Sequence, residues 1–278
     1  MNQFGFLLRK ADLKLYARKY FDVFPNEVLN AIPGNTSSSR IEKELTEAMG
    51  MFCATREFVK EQEACLVIDL CCGKGWSALL MHQALRCKVL AIDNAFGRMS
   101  ESHLKFLRER RDLSLLDLDL LSTRDSHDLL DLNVRRFLAS SGVAAHSSSN
   151  MFDNFSDSSR RRREELKALA NDLELKVKEL EAENARDEKA IIMSIHPCGL
   201  LANRVLDCFE KIGRRKGDLC ILMPCCCGPG PAPSSYAEMC ENLAAPFRSK
   251  GDYSVSLIYD PNVCSDKNGI ITIVYKPE

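Results

Sequence analysis

Three groups of residues in this 278-residue chain are of types and spacings that could do chemistry. The first is an acid leading into a glycine loop, Asp69-Leu70-Cys71-Cys72-Gly73-Lys74-Gly75-Trp76, answered by a second acid, Asp93, eighteen residues beyond Gly75. The second is His196-Pro197-Cys198-Gly199 and the third Pro224-Cys225-Cys226-Cys227-Gly228. Imidazole gains and loses its proton near neutrality, so His196 is the natural general base for a hydroxyl nucleophile. With equal ease it could do no more than hydrogen-bond its own loop. The thiols beside it could ligate zinc, but three consecutive cysteines lack the C-x2–4-C spacing of common zinc sites, so no metal is expected.

The glycine loop follows a short apolar run, Leu66 to Leu70, and precedes an amphipathic segment, Ser77 to Leu85. That is strand, turn, helix. A second apolar run, Lys88 to Asp93, ends in an acid at the distance at which a βαβ unit presents a carboxylate to a ribose, so the loop should bind a nucleoside. The pattern Gly73-x-Gly75-x-x-Ala78 fits a nicotinamide dinucleotide as well. Asp69 separates the two, because a carboxylate at the end of the first strand would repel phosphates brought to this turn. S-adenosylmethionine has no phosphate and carries an ammonium and a sulfonium, so the acid favours a methyl donor.

The remaining elements must position these loops. Residues 1–60 read as a helical cap: Phe6 to Tyr20 and Val28 to Ile32 mark two candidates before Pro33-Gly34. Ser37 to Ser39 could cap a third helix, from about Arg40 to Lys60, with Ile41, Leu45, Met49, Phe52 and Phe58 inward. These helices could cover a cofactor or only pack. Met99 to Arg110 is a crossover helix, and Leu113 to Leu120 a third strand ending near Asp119, which could face an adenine or be a solvated strand-end acid. The pattern breaks over 122–189, read as an insertion: a helix from His127 to Leu138, a serine-rich stretch to Ser159, and a long charged helix, Arg160 to Glu188. The stripe Leu166, Leu169, Leu173, Val177 and Leu180 on that helix is better suited to packing than to a coiled coil.

A fourth strand, Ala190 to His196, a helix, Leu200 to Ile212, and a fifth strand, Leu219 to Met223, resume the alternation; Tyr253 to Tyr259 and Ile270 to Tyr275 form a closing hairpin. The expectation is an α/β fold with a mostly parallel seven-stranded sheet ending in an antiparallel hairpin, residues 61–278 forming the main domain. In such a sheet ligands sit beyond the carboxyl ends of the strands, where all three chemical groups fall.

Composition narrows the setting. Hydrophobic residues are 45%, charged residues 28% and the net charge is −1, so no overall basic field draws nucleic acid. The basic groups Arg160 to Arg163, Arg108 to Arg111 and Arg214 to Lys216 could make an RNA surface, although such runs are commonly solvated faces. Thirteen cysteines, several adjacent, suit a reducing compartment, and no apolar segment reaches the roughly 20 residues that span a bilayer. A cytosolic or nuclear protein is expected, with no membrane partner.

Together, D-L-C-C-G-K-G-W, H-P-C-G and P-C-C-C-G resemble, in order, motifs of the Rossmann-like (class I) methyltransferase family that includes eukaryotic tRNA ribose 2′-O-methyltransferases and related bacterial and eukaryotic enzymes. The resemblance covers about residues 38–278, outside the insertion. It implies S-adenosyl-L-methionine as cofactor, held by Asp69, Cys71, Gly73 and Gly75 at the methionine part, Asp93 at the ribose and Asp119 at the adenine. It implies His196 and Cys198 as the catalytic wall and RNA of the tRNA type as acceptor, with protein or a small molecule as alternatives. Cys71 stands where the family usually has glycine, and the zinc-finger segments of the tRNA enzymes are absent. The rival of another class is a non-catalytic binding module that recruits a partner through the helix at 160–188.

Overall fold

The computed structural model describes residues 38–56, 58–59, 65–117 and 188–277, apart from a few positions inside the last two stretches. The first 37 residues and residues 118–187, which hold Asp119 and the insertion with its proposed partner helix save their last one or two positions, lie outside the described residues.

Seven strands form one sheet: β1 (Cys65–Leu70), β2 (Lys88–Asp93), β3 (Leu113–Asp117), β4 (Lys189–Ile195), β5 (Leu219–Met223), β6 (Tyr253–Tyr259) and β7 (Gly269–Tyr275). Their order is β3-β2-β1-β4-β5-β7-β6; β1 to β5 pair in parallel, and β7 runs antiparallel to both neighbours. This is the Rossmann-like methyltransferase fold, with the expected antiparallel hairpin at its end. The order reverses between β1 and β4, and the crevice at such a reversal is where open α/β sheets bind ligands.

The central strands are apolar because both their faces are covered. On one face Val67, Val89, Ala91, Ile191 and Met193 pack beneath helices α1 (Ser38–Arg56), α2 (Trp76–Leu85) and α3 (Glu101–Arg108). On the other, Ile68, Leu70, Ile192, Cys220 and Leu222 meet α4 (Leu200–Ile212) and α5 (Tyr236–Arg248) through Val205, Phe209 and Phe247.

Several boundaries differ from the sequence reading. α1 begins at Ser38, so Ser38 and Ser39 lie inside it, and it ends at Arg56, where the Phe58 and Val59 amides both donate to the Thr55 carbonyl in a closing turn. Helix α3 is described from Glu101 to Arg108, and β3 only to Asp117. α2 is not amphipathic: Trp76 to Met81 are all buried, because α1 covers the side turned away from the sheet. Helix α5, with Pro246 in its last turn, went unread. Its start was nonetheless signalled by Ser235-x-x-Glu238, and the Ser235 hydroxyl indeed accepts the Glu238 amide at 3.1 Å.

One buried acid joins strands on the amino side of the sheet. Asp218 accepts the Ala190 amide at 2.9 Å and the Arg215 amide at 3.0 Å, fixing the start of β4 against the turn into β5. Asp218→Ala leaves both amides short of an acceptor, and each such loss costs about 1–3 kcal/mol. Its urea midpoint should therefore drop by an amount equivalent to roughly 2–5 kcal/mol at unchanged slope; a drop within experimental error would remove Asp218 from this role.

Candidate functional site

The glycine loop is built from both ends. Asp69, fully buried in β1 on the face beneath α2, accepts the Ser77 hydroxyl at 2.5 Å in the first turn of that helix. Asp93, partly exposed at the end of β2, accepts the Gly73 amide at 2.8 Å. Between them the chain turns through left-handed backbone at Cys71, Gly73 and Gly75, with φ of 60°, 57° and 78°. A Cβ built on Gly73 would meet nothing within 4 Å, so a ligand can approach the backbone there. At Gly75 a Cβ would press on Leu107 at 3.3 Å, so that glycine serves the packing of α3 against the loop.

Burial pushes the Asp69 carboxyl up to about 7, and the nearby Asp93 charge adds to this, while the Ser77 hydroxyl and the Ala78 amide work the other way. The Cys71 thiol is pushed up to about 12 by burial and by Asp93, against the Ser194 hydroxyl, and is therefore a neutral side chain at physiological pH.

Across the reversal point, β4 leads into His196, whose backbone also lies in the left-handed region at φ 57° although it is not glycine. Non-glycine residues held this way cost of the order of 1–2 kcal/mol and gather at functional sites. Its amide donates to the Met223 carbonyl at 2.9 Å, which ties the ends of β4 and β5 together. The ring nitrogen Nε2 lies 2.8 Å from Oε1 of Glu47, a carboxylate from α1 whose side chain is only 2% exposed, while the His196 side chain is 26% exposed. Both ring nitrogens are closed to solvent, so the exposed part of the ring is its carbon edge. Lys43 follows Glu47 at 3.6 Å, and Glu44, one turn away, reaches Lys74 of the glycine loop at 3.6 Å. Helix α1 thus grips both rim loops.

Beyond His196 the thiols of Cys198, Cys225 and Cys226 all lie within 4.8 Å of one another, with Cys198 Sγ 2.8 Å from Cys225 Sγ. Burial pushes Cys198 and Cys225 up. It pushes Cys226 up as well, but the Cys198 and Cys225 thiols, the Gly199 amide and the Lys267 ammonium outweigh it and the net direction is down. The loop after β5 is held by Tyr236, whose hydroxyl donates to the Pro224 carbonyl at 2.9 Å and accepts the Gly269 amide at 3.0 Å.

The structure thus brings Asp69, Cys71, Gly73, Gly75 and Asp93 to one corner of the rim and His196 and Cys198 to the adjoining one. Glu47 and Lys43 were missed, since no local pattern marks a buried acid on a helix otherwise facing the core. The convergence of Cys198 with Cys225 and Cys226 was hidden for a different reason: it joins two loops far apart in sequence.

No protein-family model and no curated protein matches this chain. Among solved structures it is similar in fold to the fibrillarin/Nop5p complex, at 10% identity and a TM-score of 0.43, covering 83% of this chain and 83% of that one. It is also similar to the plantazolicin methyltransferase in complex with SAH, at 9% identity and 0.43, covering 96% and 98%. A third is DesVI of Streptomyces venezuelae, at 11% identity and 0.39, covering 92% and 97%. These likenesses concern fold alone; strand order and loop geometry define the site without them.

The buried acid yields a pH signature. An unfolded aspartate ionises near 3.9, so between about pH 4 and pH 7 the native state binds more protons at Asp69 than the unfolded state does. This contribution to stability is complete below that window and is lost as the pH rises through it. Asp69→Asn should consequently lose less stability between pH 5 and pH 7.5 than the parent in urea titrations. Parallel stability profiles for the two would contradict a proton held at Asp69.

Proposed function

We propose that this protein is an S-adenosylmethionine-dependent methyltransferase, with the donor lying across the carboxyl ends of β1 and β2. The observation that carries this reading is the pairing of Asp93 with the Gly73 amide beside open space at Gly73, which offers a carboxylate for ribose hydroxyls and a bare backbone for close approach. The donor supplies a methyl group made electrophilic by its sulfonium. Much of what the protein contributes is therefore placement of an acceptor in line with that group.

Cys71 and Gly75 shape the floor of the donor site, and Asp69 holds the loop to the start of α2. Asp119 is assigned to the adenine by the motif resemblance alone. His196 is the proton acceptor: Glu47 at Nε2 orients the ring, and since both ring nitrogens are closed to solvent the ring has to turn to meet an acceptor hydroxyl. Glu47 acts through His196 and is a positioning residue. Cys198, next along the same loop, lines the acceptor side. The ordered motifs put an RNA ribose hydroxyl first among acceptors, and proteins and small molecules follow. On the same reading residues 1–60 form a cap and 61–278 the catalytic domain, working inside the cell.

Incubating the full chain with labelled donor and fractionated RNA, protein and metabolite pools tests the proposal; label in none of them would sink it, and label outside RNA would replace the acceptor. Asp93→Ala should weaken donor binding by calorimetry by about 1.5–3 kcal/mol for each charge-assisted bond lost. His196→Ala should instead lower turnover by about two to four powers of ten with donor affinity almost unchanged. Full turnover in His196→Ala would strip that residue of its role as base.

A further inference from the structure

We propose that Cys198, Cys225 and Cys226 form a binding site for a thiophilic divalent cation, Zn2+, held by three thiolates with its fourth position open to the rim. The case rests on convergence. Cys198 leaves the loop after β4, Cys225 and Cys226 the loop after β5, and their sulfur atoms approach within 4.8 Å of one another. The sulfur–sulfur contacts are 2.8 Å between Cys198 and Cys225 and 3.5 Å between Cys225 and Cys226. Tetrahedral zinc at about 2.3 Å from each sulfur separates its ligands by about 3.8 Å, so the site needs an adjustment of about 1 Å between Cys198 and Cys225 and little between Cys225 and Cys226, while Cys198 and Cys226 lie within 4.8 Å. The linear rule against adjacent cysteines assumes that both ligands and their spacer lie on one segment. Here the third ligand comes from a neighbouring strand, and the adjacent pair supplies one edge of the tetrahedron.

Charge points the same way. Zn2+ with three thiolates carries a net charge of −1, and Lys43 and Lys267 act on these thiols from α1 and from the loop before β7. Two ammonium groups near the cluster would offset the charge of the anionic complex. The rigidity expected of a built site is present as well. The His196 amide bond to Met223 clamps the two loops, and Tyr236 fixes Pro224, the residue before Cys225. Cys198 and Cys226 are exposed and Cys225 is half-buried, so a cation has a path in and its fourth position faces solvent or an acceptor, as in zinc sites that keep one position open.

The test uses the full chain, reduced by a phosphine and freed of metal, and titrated first with Co2+ and then with Zn2+. One equivalent of Co2+ should produce a thiolate-to-metal charge-transfer absorption that one equivalent of Zn2+ abolishes. Loss of a partner that merely supports a ligand costs about 10–100-fold in affinity, so Cys198→Ser and Cys226→Ser should each weaken Zn2+ by at least about 100-fold, while Cys53→Ser should not change it. Circular dichroism checks that each variant is folded, and Cys198→Ala replaces Cys198→Ser if that variant is not. A cobalt spectrum absent in the parent, or equally strong in the Cys198 and Cys226 variants, would overturn the assignment. So would a chain that loses two hydrogens by mass on exposure to air through a Cys198–Cys225 disulfide while binding no metal when reduced. None of these readouts depends on methyl transfer, so the site can stand or fall apart from the proposed activity.

Discussion

Two carboxylates of unlike surroundings shape the first loop, and the rest of the rim is arranged around it. Asp69 is fully buried and turned to the hydroxyl of Ser77, so the loop is anchored at its helical end. Asp93 is partly exposed and turned to the amide of Gly73, so the loop is anchored at its glycine end as well. A charge on both at once is disfavoured by their mutual repulsion and by the burial of one. The corner relieves this by keeping a proton on Asp69 up to about neutral pH. A cationic ligand near the loop would relieve it by another route, drawing that proton off, so loop geometry and ligand charge are coupled through one acid.

The second constraint is the reversal of strand order between β1 and β4, which sets the glycine loop beside His196. α1 then closes the arrangement from the amino-terminal side. Its Glu44 meets Lys74 on one loop and its Glu47 meets His196 on the other, so a helix that packs on α2 also sets the charge environment of the crevice. Packing and site chemistry are not separate duties of this helix.

Much of this was legible in the residues. Apolar runs bounded by glycine, proline and acids marked every described strand, and the order of the three loop motifs placed the site at the carboxyl ends. What escaped has physical causes. α2 looked amphipathic because His82 and Gln83 follow its apolar start, and only the overlying α1 makes Trp76 to Met81 interior. α5 went unread although Ser235-x-x-Glu238 marks its start, and Pro246 falls in its last turn, where the helix is already ending. Glu47 could not be read as a partner of His196, since a buried side-chain contact between distant segments leaves no periodic trace. The thiol cluster likewise exists only once two loops are folded side by side.

Tyr236 connects these loops to the far end of the chain. Its hydroxyl joins the Pro224 carbonyl, at the root of the cysteine loop, to the Gly269 amide, where β7 begins. The Gly269 N–H therefore exchanges with solvent only when this three-way junction opens, and whatever stiffens the cysteine loop slows that opening. A single backbone hydrogen in the closing hairpin thus serves as a local clock for events at the rim.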